Sequence, residues 1–122
     1  MTGRVLVVDD DRAITLVLAQ ILAADGLEVD TAFDGLAALD KVAAKPFDLV
    51  VSDLRMPRLD GLGLYQALAQ RHPTLAQHVI FMTGDVLDRE ARVVLEGGDV
   101  PMLVKPFDLG ELRRVVRARL AR

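Results

Sequence analysis

The 122-residue chain is predicted to fold as an α/β domain in which five strands alternate with five helices. Two observations predict this class. Short apolar runs, such as residues 5–8 and 49–51, are typical of strands that are buried on both faces of a parallel sheet. Each strand is followed by a segment in which apolar residues recur at helical spacing. Because the connections are short, we expect one parallel sheet with helices on both faces, in a single domain over residues 1–122.

The predicted strands cover residues 4–8, 28–32, 49–53, 78–83 and 100–104. The second strand alternates polar with apolar residues, which favours a position at the edge of the sheet. The fifth strand contains Pro101, which cannot donate a backbone hydrogen bond and therefore also favours an edge. These two assignments leave the first, third and fourth strands in the middle of the sheet.

Helix boundaries follow from residues that cap or break helices. Asp34 and Asp108 are suited to cap the N-termini of the second and last helices. The third helix is expected to run from about Arg58 or Asp60 to His72, and the fourth lies within about residues 87–96. The residues expected to end helices are Gly26, Lys45-Pro46, Pro73 and Gly97-Gly98. The apolar positions expected to face the sheet are Ile14, Val17, Leu18, Ile21, Leu22, Ala38, Leu39, Val42, Ala43, Leu62, Tyr65, Leu68, Ala91, Val94, Leu95, Leu109, Leu112, Val115, Val116 and Leu120.

Composition excludes several classes of site. The chain has no cysteine, which excludes disulfides and thiolate metal sites, and its two histidines are too isolated for a histidine-rich zinc site. The formal charge of −3 gives no reason to expect a nucleic-acid surface. No apolar run approaches the length of a membrane span, and the N-terminus does not resemble a signal peptide. We therefore expect a soluble, cytoplasmic domain without direct nucleic-acid or membrane contact.

Polar side chains stand at the carboxyl ends of four of the five predicted strands. Asp9 and Asp10 follow the first strand, Asp53 ends the third, Thr83 ends the fourth, and Lys105 follows the fifth. In open α/β sheets, ligands bind outside the carboxyl ends of the strands, where the strand order reverses. The strand order 2-1-3-4-5 would bring these four ends together.

Neighbouring carboxylates repel each other, by about 4 kcal/mol per pair at a separation of ~4 Å and an effective dielectric constant of ~20. A bound cation would remove this repulsion. Because the available ligands are oxygens, a hard divalent ion is favoured, Mg²⁺ first, with Mn²⁺ or Ca²⁺ as substitutes. Thr83 and Lys105 would then complete a socket for a phosphoryl group carried on Asp53. Each residue alone has an ordinary structural explanation, so the prediction depends on their joint occurrence.

At these positions the chain resembles the receiver domain of bacterial two-component response regulators. Residues 5–11, Val-Leu-Val-Val-Asp-Asp-Asp, resemble the acidic pair of that family, and residues 53–61, Asp-Leu-Arg-Met-Pro-Arg-Leu-Asp-Gly, resemble its phosphoacceptor loop. Phe-Met-Thr-Gly at residues 81–84 and Val-Lys-Pro-Phe at residues 104–107 match the remaining signatures. The match spans nearly the whole chain, in order and at the spacing of the family.

The resemblance implies a flavodoxin-like (βα)5 fold and a phosphoacceptor role for Asp53. The phosphoryl group would come from the phosphohistidine of a histidine kinase or of a histidine phosphotransfer domain. Mg²⁺ would be held by Asp9, Asp10, Asp53 and the backbone carbonyl of Arg55. A domain of this kind is not an enzyme in the usual sense, because it catalyses only its own phosphorylation and dephosphorylation. The residues implied to have structural roles are Pro57, Gly61 and Pro106, the last after a cis peptide bond.

The resemblance also implies a conformational switch. Thr83 would turn toward the phosphoryl oxygens and Lys105 would pair with them, which shifts the populations of an inactive and an active form. The surface that changes would consist of the fourth helix, the fifth strand and the last helix. Met102 departs from the family pattern, because Tyr or Phe usually stands there. The segment 97–102 is similar to that of receivers attached to hybrid sensor kinases, and the output domain or protein is not specified.

Arg55 lies two residues after Asp53, and Asp85 lies two residues after Thr83. Both side chains are expected to overhang the site from opposite sides. An ion pair between them would hinder the water that attacks the phosphoryl group, whereas two independent solvated charges would not.

Three other classes agree less well with these residues. A haloacid-dehalogenase-like aspartyl phosphatase needs Asp-x-Asp-x-Thr/Val after the first strand; Asp9-x-Asp11 is present, but Ala13 stands at the last position. A flavodoxin needs a Thr, Ser and Gly cradle for phosphate where this chain has aspartates. A receiver-like binding module that is never phosphorylated would not require the complete set of acidic, hydroxyl and ammonium groups.

Overall fold

The computed structural model describes residues 2–85, 88–97 and 99–122 and contains one five-stranded sheet. All neighbouring strands run parallel, and their order confirms the predicted α/β fold with strand order 2-1-3-4-5. The strands are β1 (Arg4–Val8), β2 (Glu28–Ala32), β3 (Leu49–Asp53), β4 (Val79–Thr83) and β5 (Met102–Val104).

Six helices connect and flank the strands in the described part of the chain. They are α1 (Arg12–Ala24), α2 (Gly35–Ala44), α3 (Gly61–Arg71), α4 (Pro73–Ala76), α5 (Arg89–Gly97) and α6 (Leu109–Leu120). Asp34 and Asp108 cap α2 and α6 as predicted, through bonds from the amides of Ala37 and Glu111. Leu87, at the N-terminal limit of the predicted fourth helix, and the terminating Gly98 lie outside the described residues, as does the side chain of the predicted apolar position Leu95.

Pro73 does more than end the third helix. The chain turns at His72, and Pro73 then occupies the first position of the short helix α4, where a missing N–H carries no cost. The sequence prediction had no helix here, because four residues are too few to show helical periodicity.

The sheet separates two apolar layers, because successive strand residues point to opposite faces. Leu6, Val50 and Phe81 lie in the layer covered by α2, α3 and α5, together with the buried residues of those helices. Val7, Val51 and Ile80 lie in the opposite layer, against α1 and α6. The central strands β1, β3 and β4 are therefore buried on both faces, whereas β2 and β5 form the predicted edges.

Some predicted apolar positions face solvent instead of the sheet. Val17 and Leu109 are 54% and 46% exposed, and Ala43 is also exposed. In α1 the buried residues are Thr15, Leu18 and Leu22, because the stripe that contacts the sheet is narrower than the apolar surface of the helix. None of the described helices has both the length and the apolar character needed to cross a membrane.

Gly61 allows α3 to begin directly against the end of β3. Its amide donates to the carbonyl of Leu54 at 2.9 Å. A Cβ atom at this position would lie 2.3 Å from the carbonyl oxygen of Asp53 and 2.9 Å from the Cα atom of Leu54. Both contacts are with backbone atoms, which cannot move aside without displacing the strand end.

Gly61→Ala is therefore expected to destabilise the fold by roughly 1–3 kcal/mol, the usual cost of overpacking. Gly97→Ala is the matched control, because among the described residues a Cβ atom at Gly97 meets no atom within 4 Å beyond its chain neighbours and the backbone of its own helix. In that helical position alanine should be neutral or slightly stabilising. Chemical denaturation of the two variants measures the difference, and equal stabilities would contradict the close approach at Gly61.

Candidate functional site

Three aspartates meet at the carboxyl ends of β1 and β3. The carboxylates of Asp9, Asp10 and Asp53 each offer an oxygen, and these oxygens all lie within 4.8 Å of one another. Asp9 and Asp53 are buried, whereas Asp10 is exposed. The juxtaposition follows from the direct pairing of β1 with β3, which places the ends of the two strands side by side.

The β1–α1 loop holds Asp9 in a fixed position. The amide of Asp9 donates to the carbonyl of Ala32, and the Oδ1 atom of Asp9 accepts from the amide of Asp11 at 2.9 Å. The hydroxyl of Thr15 donates to the carbonyls of both Asp9 and Asp11. Asp11 also caps α1 through the amides of Ala13 and Ile14. Asp11 therefore has a structural role, while Asp9 and Asp10 remain directed at the site.

Lys105 supplies one positive charge to the three carboxylates. Its Nζ atom lies 2.9 Å from Oδ2 of Asp9 and 3.6 Å from Oδ2 of Asp53. Burial lowers the pKa of Lys105, but the hydrogen bond to Asp9 and the charges of Asp53 and Asp9 outweigh burial and raise the pKa above its ordinary value. The peptide bond between Lys105 and Pro106 is cis, as the resemblance implied.

Asp53 carries the clearest sign of uncompensated charge. Burial and the charge of Asp9 raise the pKa of Asp53 to about 6, and the charge of Asp10 acts in the same direction. The charge of Lys105 and a backbone hydrogen bond from Arg55 oppose this shift without cancelling it. A site with three carboxylates and one ammonium group fits a divalent cation, and its all-oxygen ligand set fits Mg²⁺.

Thr83 lies at the end of β4 with its hydroxyl bonded to the backbone of the next loop. The hydroxyl donates to the carbonyl of Asp85 and accepts from the amide of Asp85, both at 3.1 Å. To reach a group on Asp53, the hydroxyl must exchange these bonds for new ones. The conformation of the β4–α5 loop is therefore coupled to the orientation of Thr83.

Arg55 extends from the β3–α3 loop to the start of α5. Its guanidinium bonds to Oδ2 of Asp88 through both Nε, at 2.7 Å, and a terminal nitrogen. Asp88 was not identified from the sequence, although an acidic residue in the first turn of a predicted helix was a visible signal.

The neighbouring loops supply further contacts that the sequence did not indicate. The guanidinium of Arg12 lies 4.1 Å from the ring centre of Phe33, a cation–π contact between the start of α1 and the loop after β2. Arg58, which follows Pro57, has a φ angle of 71° and pairs with Asp34 at 3.4 Å. A left-handed backbone at an arginine is uncommon and gives no signal in the sequence.

Met102 lies opposite Phe81 in the pairing of β4 with β5, and it is half-buried in the layer under α5. The ring of Phe81 contacts the ring of Tyr65 edge-on, with centroids 5.8 Å apart. The aromatic group nearest to β5 in this layer therefore belongs to β4, two residues before Thr83.

The raised pKa of Asp53 gives a pH-dependent stability in the absence of divalent cations. The carboxyl binds a proton more tightly in the folded than in the unfolded chain, so stability falls as pH rises from about 4 through about 6. Asp53→Asn removes this penalty. In chelator-treated protein it should raise the free energy of unfolding by about 1–3 kcal/mol at pH 8 and have little effect near pH 4. Denaturant titrations at both pH values test this, and a gain of equal size at both would contradict it.

Comparison with known proteins points to one family. Residues 5–117 match the response regulator receiver domain family. The chain is 41% identical over 120 residues to the DNA-binding transcriptional regulator NtrC of Escherichia coli K12, and 41% identical over 122 residues to the response regulator MprA of Mycobacterium tuberculosis H37Rv. These matches cover 98% and 100% of this chain but 25% and 52% of the relatives. The chain therefore spans only a quarter to a half of the length of these proteins.

Solved receiver structures agree with the fold over nearly the whole chain. A CheY-like receiver domain from Methanospirillum hungatei has a TM-score of 0.88 at 27% identity, covering 99% of this chain and 95% of its own. The response regulator TrrA of Thermotoga maritima, solved in complex with Mg²⁺-BeF, has a TM-score of 0.81 at 31% identity, covering 95% and 97%. The fold, the strand-end residues and these matches agree, and the chain belongs to the response regulator receiver domains.

Proposed function

We propose that Asp53 accepts a phosphoryl group from the phosphohistidine of a histidine kinase or histidine phosphotransfer domain. The observation that carries this proposal is the position of Asp53, buried at the end of a central strand between two acids and Lys105. Asp9, Asp10, Asp53 and the backbone carbonyl of Arg55 would hold Mg²⁺, for which Mn²⁺ or Ca²⁺ could substitute. When bound, the ion would neutralise the charge that gathers on the transferring oxygens.

In this reaction a carboxylate oxygen of Asp53 forms a bond to phosphorus while the bond between phosphorus and the histidine nitrogen breaks. The oxygen must be unprotonated, so acid conditions that protonate Asp53 oppose the reaction. Lys105, already beside Asp53, pairs with the phosphoryl oxygens. The Thr83 hydroxyl leaves the backbone of Asp85 to donate to the same group. The domain thus promotes its own phosphorylation and, with water as the attacking group, its own dephosphorylation.

An apolar groove beside Lys105 supports a protein as the phosphoryl donor. The groove has a volume of about 590 Å³ and lies between α1 and the loop that joins β5 to α6. α1 carries no charged side chain after Arg12, and Leu16 and Val17 are more than half exposed. We propose that helices of the donor domain pack here and present phosphohistidine to Asp53. The residues that line the groove are Ala13, Ile14, Val17, Leu18, Ile21, Lys105, Pro106, Phe107 and Leu109.

The signal would leave the domain through α5, β5 and α6, the surface nearest to Thr83 and Lys105. We propose that phosphorylation shifts this surface between two conformations in the cytoplasm, where a downstream domain or protein distinguishes them. With Met102 in place of an aromatic residue, the shift would not depend on a ring at position 102. The relatives carry this domain within longer proteins.

We propose further that Arg55 and Asp85 flank the mouth of the site and slow the entry of water. Arg55 already spans from one loop to the next through Asp88, and Asp85 lies in that same loop. Side chains on both sides of the mouth would restrict the access of water to the phosphoryl group.

The phosphoacceptor assignment predicts the outcome of a mass measurement. With Mg²⁺ and acetyl phosphate, the protein should gain the mass of one phosphoryl group, and Asp53→Asn should gain none, because an amide is not a nucleophile at phosphorus. Asp48→Asn is the matched control, since Asp48 stands before the opposite end of β3 and binds the amide of Arg4. A chelator should abolish the gain. Phosphorylation of Asp53→Asn at the normal rate would contradict the assignment.

The proposed role of Arg55 and Asp85 in slowing the entry of water predicts a change in phosphoryl half-life. Arg55→Ala and Asp85→Ala should each shorten the half-life by roughly 2- to 10-fold, because each side chain removed opens the mouth to water. The decay is followed by mass spectrometry after removal of acetyl phosphate. Arg4→Ala, at the other end of the sheet, is the control. Unchanged half-lives in both Arg55→Ala and Asp85→Ala would refute the proposal that these side chains slow the entry of water.

A further inference from the structure

We infer that Asp88 is a positioning residue for the metal site and acts on it through Arg55. This inference rests on the proposed function, because Mg²⁺ at the aspartate cluster is part of that proposal. It assigns a role to a residue that lies outside the signature segments of the sequence.

In the ion pair between Arg55 and Asp88, the two side chains have different roles. Two nitrogens of the guanidinium, Nε and a terminal nitrogen, bond to the same carboxylate oxygen. The Asp88 side chain is only 14% exposed, whereas that of Arg55 is 66% exposed. The carboxylate is therefore the fixed partner and the longer side chain reaches toward it.

Asp88 is fixed by the backbone of its own loop. Its amide donates to the carbonyl of Asp85 at 3.2 Å, and its carbonyl accepts from the amide of Arg92 in the first turn of α5 at 3.0 Å. The guanidinium of Arg55, bonded to Asp88, is therefore positioned by the start of α5.

The backbone of Arg55 lies beside the reaction centre. The amide of Arg55 is close enough to the carboxylate of Asp53 to lower its pKa, and the carbonyl of Arg55 is proposed to bind Mg²⁺. Anchoring the side chain at Asp88 restricts the rotations of this residue, so the carbonyl is oriented before the ion arrives. Pre-organisation of a ligand raises affinity because less freedom is lost on binding.

The same contact joins the metal site to α5 without passing through Thr83 or Met102. If the pair helps Mg²⁺ to bind, then Mg²⁺ must equally help to hold the start of α5, because coupling between two sites is reciprocal. A receiver with methionine at position 102 would thus retain a second connection between its reaction centre and the helix that is expected to change.

Mg²⁺ affinity of the unphosphorylated protein, measured by calorimetry, separates positioning from simple charge effects. Loss of the Arg55 charge alone should strengthen the binding of a cation, and loss of the Asp88 charge should weaken it. Positioning requires that Arg55→Gln and Asp88→Asn both weaken binding, by roughly 2- to 5-fold for an exposed ion pair. Asparagine caps helices as well as aspartate does, so Asp88→Asn leaves the start of α5 intact.

The double variant completes the cycle. If the two side chains act as one unit, Arg55→Gln with Asp88→Asn should bind Mg²⁺ no more weakly than either single variant. Glu28→Gln is the matched control, because Arg4 bonds to Glu28 through the same two nitrogens at the far end of the sheet. Amide exchange in the first turn of α5 should slow on addition of Mg²⁺ in the unaltered protein and respond less in the single variants.

Tighter or unchanged Mg²⁺ binding in Arg55→Gln overturns the inference, as does strict additivity in the double variant. If the unaltered protein binds Mg²⁺ and is phosphorylated at Asp53, either result defeats only the role of Asp88. If the unaltered protein does not bind Mg²⁺, the proposed function fails and this inference fails with it.

Discussion

The mutual repulsion of three carboxylates is the constraint on which the rest of this structure depends. Asp9, Asp10 and Asp53 lie within 4.8 Å of one another, and the single ammonium group of Lys105 does not balance them. The pKa of Asp53, raised to about 6 by burial and by the charge of Asp9, expresses that imbalance. A fold selected for stability alone would separate these groups. The arrangement makes chemical sense when a divalent cation and a transferable phosphoryl group complete it.

The sheet maintains this arrangement because the carboxyl ends of β1, β3, β4 and β5 lie in a row. Two apolar layers hold the sheet rigid, so the loops can position the reactive residues while the stability of the fold comes from the layers. The close approach at Gly61 ties the start of α3 to the strand that bears Asp53. The loop after β4 forms hydrogen bonds with two residues of the site, through the hydroxyl of Thr83 and the guanidinium of Arg55. These attachments give the start of α5 a physical dependence on the site.

The sequence was sufficient for the fold class, the strand order and the cluster of aspartates, because buried strands, caps and strand-end residues leave regular patterns. It was not sufficient for contacts made by long side chains across loops. The pairing of Arg55 with Asp88 and the left-handed backbone of Arg58 depend on loop conformations that no periodicity encodes. Helical periodicity also failed to distinguish Val17, which is exposed, from Leu18, which is buried, because both lie on an apolar surface wider than its contact with the sheet.

The most direct test of the central claim is the chemical identity of the phosphorylated residue. Borohydride reduces an aspartyl phosphate to homoserine, so treatment after phosphorylation, followed by peptide mass spectrometry, marks the acceptor. We expect homoserine at Asp53 alone. Homoserine at Asp9, where an aspartyl phosphatase of the haloacid dehalogenase type would place its nucleophile, would contradict the account.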